Sequence, residues 1–362
     1  MLKVSQDFGF ELPLLSDVCS ARFNSITGET INVTQEPIKH EGSHCSSFNI
    51  RISGSRLTVR GNPSKWNRLD NVDGVKTLNK AMDIINAILI KLGLPPFTKC
   101  SRLFHRQGKQ NKRVETFSDG AKIQEIHLNE NYSTSGHSRQ LIRAVSTIRY
   151  KNSIPRLHTN GMGTDWLSKL GKARLMYPKV YDKANELVLH QQPKIKRKYG
   201  KESEEAKYIE KLIDYLRTNG VVRFELELHS EYLNRHRLSH WGLFDESLLL
   251  NTLDDFTCIV EKKEVPIMEI QDIAEQLLNK GYVKSVQAAN ATAGYAMLWM
   301  NGKQFDLTKS QVQTHRARLR KIGIDIADEY DVYRHSPVSI HRAGTINLSP
   351  LILPNWYQEA HA

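Results

Sequence analysis

Apolar and polar residues alternate along several short runs of the chain, and a period of two is typical of strands with one buried face. The pattern predicts strands at 48–53, 56–60, 121–129, 173–183 and 221–228. Gly54-Ser55 separates the first two runs, which predicts a β-hairpin. The apolar face of the last run consists of Val222, Phe224, Leu226 and Leu228.

Apolar residues recur at helical spacing in other segments. This pattern predicts helices at 77–92, 201–217, 269–280 and 310–322. Thr77 is a candidate N-cap, and Gly93 with Pro95-Pro96 ends that helix. Residues 140–150 fit a helix or a strand equally well, and the tail at 338–356 is extended and apolar. The mixture predicts an α+β fold.

The length of 362 residues suggests two domains. The mixed stretch at 247–265 is the candidate boundary. We therefore predict a larger domain at 1–250, with an antiparallel sheet and flanking helices, and a smaller α+β domain at 266–362.

Charge points to a polyanionic partner. The chain has 51 Lys and Arg against 39 Asp and Glu, a net charge of +12, which favours nucleic acid over a membrane surface. The alternative is a basic protein whose charge only keeps it in solution. No stretch approaches the roughly 18–20 apolar residues of a membrane span. The N-terminal segment has no apolar core, so neither a membrane anchor nor a signal peptide is expected.

Cysteine usage indicates a reducing compartment. Cys19, Cys45, Cys100 and Cys258 are scattered and form no CxxC pair. A disulfide framework or a thiolate zinc site is therefore not expected, and the cytoplasm fits best.

Two predicted strands carry candidate metal ligands. Period two puts Glu125, His127 and Asn129 on one face of 121–129, and this donor set suits Mg²⁺ or Mn²⁺. On the polar face of 221–228, Glu225 could complete the site and Arg223 could hold a phosphate. The competing interpretations are a solvated sheet face and a cross-strand ion pair.

A third strand carries a candidate nucleophile. Tyr177, Lys179, Tyr181 and Lys183 share one face if 173–183 is a strand. A tyrosine hydroxyl can attack a phosphodiester when a cation stabilises the developing charge, and the two lysines would hold the phosphate. The alternative is an aromatic and basic strand that only packs. The spacing of the tyrosines also allows a two-tyrosine relay on a helix, against which Pro178 argues.

Basic residues in two segments are candidate contacts with the DNA backbone. They are Lys194, Lys196, Arg197 and Lys198 in the first segment, and Arg316, Arg318 and Arg320 in the second. For the first segment a solvated loop is an equal alternative. His315 and Arg318 also fit the H-x-x-R box of tyrosine recombinases, with Tyr330 or Tyr333 as nucleophile, although a basic helix face explains them better.

A further histidine-rich segment, His40 to Cys45, lacks an evident fourth ligand and is interpreted as a loop.

An ordered set of motifs resembles the replication initiators of filamentous phages, the gene II/X protein family. The motifs are GNPSKWNRLDNVDG (61–74), IQEIHLNEN (123–131), KVYDKANEL (179–187), GVVRFELELHSEYL (220–233), GLFDE (242–246) and LPNWYQE (353–359). The resemblance covers most of the chain and rests on the order and spacing of the set.

The resemblance implies an HUH-like core in which an antiparallel sheet holds a metal and presents a tyrosine. It implies nicking of one strand at a phage origin, a 5′-phosphotyrosyl link, a 3′-OH primer, and later rejoining of the displaced strand. The implied partners are single-stranded and supercoiled origin DNA, a host helicase and a host polymerase, in the bacterial cytoplasm. Resealing without ATP agrees with the lack of a G-x-x-x-x-G-K-[ST] loop, so no small-molecule cofactor is expected.

Carried over to this sequence, Tyr181 matches the nucleophile, and Arg223 and Glu225 match the R-F-E strand. His127 lies on the strand that corresponds to the HUH strand, where Asn129 stands in place of the second histidine. The predicted reacting set is Tyr181, Lys183 and Arg223. The predicted ligands of Mg²⁺ or Mn²⁺ are Glu125, His127, Asn129 and Glu225, and Lys179 is assigned to DNA. The alternative is an origin-binding regulator without catalysis.

Overall fold

The structure, a computed structural model, describes residues 1–13, 15–16, 18–107, 114–260, 270–300, 303–328 and 348–358. Contacts divide the chain into a first unit, Met1–Glu261 with Leu348–Ala362, and a second unit, Lys262–Asn347. The division at 261 falls inside the boundary stretch that the sequence suggested. The predicted C-terminal domain, 266–362, differs from the second unit at its end, because the chain returns to the first unit at Leu348.

The strands in chain order are β1 (Leu2–Asp7), β2 (Cys19–Phe23), β3 (Thr30–Gln35), β4 (Ile38–Glu41), β5 (Ser47–Ser53), β6 (Arg56–Gly61), β7 (Leu103–Gln107), β8 (Val114–Ser118), β9 (Lys122–Ser133), β10 (Ile154–Leu157), β11 (Gly163–Leu167), β12 (Met176–Asp182), β13 (Val222–His229) and β14 (Ser349–Pro350). Ten of them form a sheet in the order β10-β11-β12-β13-β9-β1-β6-β5-β4, with β14 also paired to β9. Its strand pairs are antiparallel. The predicted α+β class with an antiparallel sheet is confirmed.

The helices are α1 (Leu78–Lys91), α2 (Ser138–Val145), α3 (Lys183–Glu186), α4 (Gln192–Tyr199), α5 (Glu204–Thr218), α6 (Ser230–Arg235), α7 (Ser247–Thr257), α8 (Ile270–Asn279), α9 (Val286–Met300) and α10 (Ser310–Arg320). Thr77 caps α1 as predicted, because its side chain accepts a hydrogen bond from the Lys80 amide. In the undecided stretch at 140–150, residues 140–145 belong to the helix α2. Among the helices of the described residues, none is both long and apolar enough to cross a bilayer.

The apolar face of β13 fixes which way its polar residues point. Val222, Phe224, Leu226 and Leu228 are fully buried. The Phe224 ring packs edge-on against Phe256 of α7, with ring centroids 5.7 Å apart. A shift of one residue would move this apolar set to the opposite face, so its burial specifies the register. Arg223, Glu225 and Glu227 consequently lie on the other face.

The second unit, where it is described, consists of α8, α9 and α10 around their own apolar core. His315 of α10 is buried beside that core: its ring stacks on Tyr295 at 4.2 Å, and Nδ1 lies 2.9 Å from Thr292 Oγ1. Tyr330 and Tyr333, the nucleophiles of the recombinase interpretation, lie outside the described residues, as do residues 338–347 of the predicted extended tail.

Candidate active site

The polar positions of three adjacent strands are aligned side by side. β13 lies between β12 and β9 in the sheet. The aligned pairs are Tyr181 with Arg223 and Lys179 with Glu225 across β12 and β13, and Glu225 with Asn129 and Glu227 with His127 across β13 and β9. The three polar faces that the sequence predicted separately therefore form one surface.

Tyr181 and Glu225 are joined at the centre of this surface. The Tyr181 hydroxyl donates a hydrogen bond of 2.6 Å to Glu225 Oε2. Burial, helped by the Glu225 carboxylate, raises the pKa of Tyr181 well above its usual value. Burial would also raise the pKa of Glu225. Hydrogen bonds from His127 and Tyr181 and the charge of Lys179 outweigh burial and hold that pKa well below its ordinary range. The resting pair is therefore a neutral phenol on an ionised carboxylate.

Three ionisable side chains beside this pair, those of Glu125, His127 and Glu227, form a compact donor cluster with Glu225. His127 Nδ1 lies 3.1 Å from Glu225 Oε1, and His127 Nε2 lies 3.0 Å from Glu125 Oε1. One ligand atom each from His127, Glu225 and Glu227 fit within 4.8 Å of one another. Hydrogen bonds from His127 and Arg60 outweigh burial and lower the pKa of Glu125 to about 2. Carboxylate oxygens with one imidazole fit Mg²⁺ or Mn²⁺.

Glu227 is the donor that the ligand prediction left out. It lies two residues after Glu225 on the same strand face, so the alternation could have identified it. Asn129, a predicted ligand, is exposed on β9 directly across from Glu225.

Lys179 is held inside the site. Its Nζ lies 3.1 Å from Glu225 Oε1, also donates to Glu227, and lies 5.0 Å from the centre of the Tyr177 ring. Burial opposes its charge, but the two carboxylates outweigh burial and raise the pKa of Lys179. The predicted DNA contact is thus a charged ammonium that neutralises the carboxylate cluster.

Arg223 is committed to the protein backbone. Its side chain is fully buried; Nε donates to Asn131 Oδ1 at 2.8 Å, and Nη2 donates to the carbonyls of Asn71 and Val72 at 2.6 and 2.9 Å. These contacts fix the loop at 70–73 against β9 and β13. The sequence analysis predicted that Arg223 holds a phosphate and did not predict these hydrogen bonds within the protein.

Lys183 is not on the strand face, so the prediction that it lies there beside Tyr181 is wrong. β12 ends at Asp182, whose Oδ1 accepts a hydrogen bond of 2.7 Å from the Asn185 amide and begins α3. The fully buried Lys183 Nζ instead donates to Asn71 Oδ1 at 2.9 Å and Glu186 Oε2 at 2.6 Å. Burial, with the nearby charge of Arg223, lowers the pKa of Lys183 to about 8, although Glu186 opposes the shift.

We expect Lys183 to make the free energy of unfolding depend on pH. Between pH 8 and 10.5 the unfolded chain binds more protons at this side chain than the folded chain does, so stability rises with pH. The full effect is about 3 kcal/mol. Urea unfolding at pH 7.5 and 10.5 should show this gain in the wild type relative to Lys183→Met. Equal pH dependence in both proteins would contradict the burial of this charge.

The remaining candidates have other partners. The Tyr177 hydroxyl donates to Asp165 Oδ2 on β11 at 2.7 Å, away from Glu225. The loop interpretation of the segment from His40 to Cys45 is wrong at His40, which lies on β4 and stacks on Trp66. His44 follows in a turn, where its Nδ1 lies 3.1 Å from the Tyr199 hydroxyl.

The two basic segments, on α4 and α10, differ in how many of their cationic side chains are exposed and how many pair with other residues. On α4, Lys194, Arg197 and Lys198 are exposed, and Lys196 pairs with Glu210 at 2.6 Å. On α10, Arg316 makes two hydrogen bonds to Asp325, at 2.6 and 2.9 Å. Arg318 lies 3.4 Å from Thr292 Oγ1, whereas Arg320 is exposed, 3.6 Å from Asp325. The charge pattern of the sequence did not distinguish the cations that pair with carboxylates of the protein from those that are exposed.

The aligned surface opens into a cleft with a volume of about 1130 Å³. His127, Lys179, Tyr181 and Glu225 line it, together with the loop at 71–74. Of the two tyrosines on β12, Tyr181 is among the lining residues that the structure describes and Tyr177 is not.

Comparison with known proteins assigns the chain to a class. Residues 18–247 match the N-terminal family of the gene II replication-associated protein, and residues 277–362 match the C-terminal family of the same protein. The chain therefore belongs to the gene II family of phage replication-associated proteins. It is 45% identical over 309 residues to the gene II replication-associated protein of Escherichia phage If1, which covers 85% of this chain and 96% of that protein. No solved structure matches the chain.

Proposed function

We propose that this protein initiates rolling-circle replication of a phage genome by nicking one DNA strand at the origin with Tyr181. The observation that carries the proposal is the Tyr181–Glu225 hydrogen bond inside a cleft lined by a carboxylate and imidazole cluster. Membership in the gene II replication-associated family and the net charge of +12 support a DNA substrate.

In the proposed reaction, the Tyr181 oxygen attacks the phosphorus of one phosphodiester. A bond forms between phosphorus and the phenol oxygen, and the bond from phosphorus to the 3′ oxygen breaks. The phenolic proton leaves along the hydrogen bond toward Glu225 Oε2, and the 3′ oxygen takes up a proton from solvent. The products are a 5′-phosphotyrosyl link and a free 3′-OH. The link conserves the bond energy, so the reverse attack by a 3′-OH rejoins the strand.

Glu125, His127, Glu225 and Glu227 are the residues that would hold a divalent cation, with Asn129 across from Glu225. Bound Mg²⁺ or Mn²⁺ supplies positive charge that stabilises the developing charge on the phosphate. Lys179 adds a fixed positive charge to the same face. Arg223, on the same face, and the buried Lys183 hold the loop at 70–73.

The proposal includes macromolecular partners. Supercoiled origin DNA, which opens locally to a single strand, is the proposed substrate. A free 3′-OH is the primer that a host polymerase extends, and a host helicase would unwind the parental strand ahead of it.

The test is a nicking assay on supercoiled plasmid that carries the cognate origin, with Mg²⁺ or Mn²⁺ and with EDTA. Mass spectrometry of the digested product then locates any nucleotide-linked tyrosine. We expect metal-dependent conversion to open circles and a nucleotide on the peptide that contains Tyr181. Tight origin binding without nicking in either metal would favour the regulator instead.

The exposed cations of α4 are the proposed contacts with the phosphate backbone. We expect Arg197→Gln/Lys198→Gln to weaken binding of a single-stranded oligonucleotide and to lower the slope of log affinity against log salt by about 1.4. Lys80→Gln/Lys91→Gln changes the net charge equally on the exposed side of α1 and serves as the control. Equal slopes for both double variants, measured by fluorescence anisotropy, would remove α4 from the DNA interface.

A further inference from the structure

The last described residues of the chain, 348–358, pack on the first unit next to the candidate active site. β14 pairs with β9, and the Leu351 amide donates to the Asn131 carbonyl at 3.2 Å. We call residues 348–358 the returning segment, because the chain reaches them only after the second unit.

Tyr208 and Tyr215 of α5 anchor the returning segment. The Trp356 ring lies edge-on to the rings of Tyr208 and Tyr215, each 6.1 Å away, and Lys211 Nζ lies 4.3 Å from its centre. The Tyr215 hydroxyl also donates to the Ile352 carbonyl at 2.6 Å. Both helix-side tyrosines belong to α5, so the segment is fixed to a regular element.

Tyr357 then connects the returning segment to the loop at 70–73. Its buried hydroxyl donates to Asp70 Oδ1 at 2.7 Å and accepts from the Asp73 amide at 2.9 Å and from Arg68 Nη2 at 3.0 Å. Asp70 is itself buried, and its Oδ1 also accepts from the Val72 amide at 2.8 Å. One hydroxyl thus contacts the loop at both of its ends, through the side chain of Asp70 and the backbone amide of Asp73.

The same loop contacts two buried cations that flank Tyr181. Arg223 donates to the carbonyls of Asn71 and Val72, and Lys183 donates to Asn71 Oδ1. Arg223 is paired across the strands with Tyr181, and Lys183 follows Tyr181 by two residues. A displacement of the loop would therefore release the contacts that flank the candidate nucleophile on both sides.

We infer that Tyr357 is a positioning residue for the reaction of Tyr181, acting through Asp70, the loop at 70–73 and the buried Arg223 and Lys183. The inference rests on the proposed nicking function. It gives the returning segment a role in the reaction geometry, although none of its atoms needs to touch the reacting phosphate. Small displacements of a reacting group can cost up to about 100-fold in rate.

The experiment compares Tyr357→Phe with Tyr215→Phe in the full chain. Both variants remove one phenolic hydroxyl that involves the returning segment, but only Tyr357 contacts the loop. We expect Tyr357→Phe to slow single-turnover cleavage of an origin oligonucleotide about 10- to 100-fold, with its dissociation constant changed by less than about twofold. Tyr215→Phe should cleave at close to the wild-type rate.

Hydrogen exchange supplies a readout that does not depend on cleavage. The Asp73 amide loses its acceptor in Tyr357→Phe, so its exchange should accelerate about tenfold or more, whereas Tyr215→Phe should leave it unchanged. Rates are compared at a temperature where circular dichroism shows both variants folded. Wild-type cleavage in Tyr357→Phe, or equal losses in both variants, would overturn the inference while the nicking function stands. A wild-type protein that does not nick would overturn both.

Discussion

Tyr181→Phe is expected to abolish the covalent protein–DNA adduct and to reduce nicking by at least about 10⁴-fold, the size of loss seen when a nucleophile is removed. The substitution removes one oxygen and keeps the ring. The lost hydrogen bond to Glu225 leaves that carboxylate with His127 and Lys179 as partners, so the fold should persist. Denaturing gels of the nicking reaction measure the adduct, and thermal unfolding by circular dichroism checks the fold.

Tyr177→Phe is the matched control for this loss. Tyr177 lies on the same strand face, and its hydroxyl also donates to a carboxylate, that of Asp165, at 2.7 Å. It does not line the cleft among the described residues, so its removal should leave the adduct intact. An adduct that survives in Tyr181→Phe and disappears in Tyr177→Phe would move the nucleophile to Tyr177.

The sequence predicts the polar faces of the site but not their alignment. Alternation along β9, β12 and β13 identifies His127, Glu225 and Tyr181 as outward-facing residues. Whether they meet depends on contacts between strands, 44 positions apart for Tyr181 and Glu225 and 98 positions apart for His127 and Glu225, for which a periodic pattern carries no information. The burial of Phe224 and its apolar neighbours on the other face supplies that register.

Competition between the end of strand β12 and the start of helix α3 explains the wrong prediction for Lys183. The alternation of 173–183 continues to that residue, but the Asp182 side chain caps a helix and ends the strand one position earlier. A capping bond of this kind is worth about 1 kcal/mol, which is enough to decide the state of one residue at the end of a strand.

The contacts between Tyr357 and the loop at 70–73 could not be predicted from local sequence patterns. Tyr357 and Asp70 are separated by 287 positions, and neither belongs to a periodic run that predicts the contact. At Arg316 the sequence pattern predicts a contact that the structure assigns to another partner. A basic residue on a helix indicates a contact with the DNA backbone, but the Arg316 side chain makes two hydrogen bonds to Asp325. Charge patterns predict a partner class, and tertiary pairing decides which charges remain exposed.

Glu225→Gln is expected to weaken binding of Mn²⁺ by at least about 100-fold and to suppress nicking with it. The amide keeps the size of the side chain but removes the charge that a divalent cation requires. Glu225 is also the residue in which the two parts of the site meet, because Oε2 accepts from Tyr181 and Oε1 faces His127 and Lys179. A single substitution therefore acts on the ligand set and on the nucleophile together.

The metal effect is separable from catalysis because it can be measured without DNA. Isothermal titration of the DNA-free protein with Mn²⁺ gives the affinity, and the rise in melting temperature on adding Mn²⁺ gives an independent check. Glu231→Gln is the control, since that carboxylate pairs with Arg174 and Arg235 on the surface. Equal Mn²⁺ affinity in the two variants would place the cation elsewhere. Lost nicking with unchanged Mn²⁺ affinity would then assign Glu225 to the phenol alone.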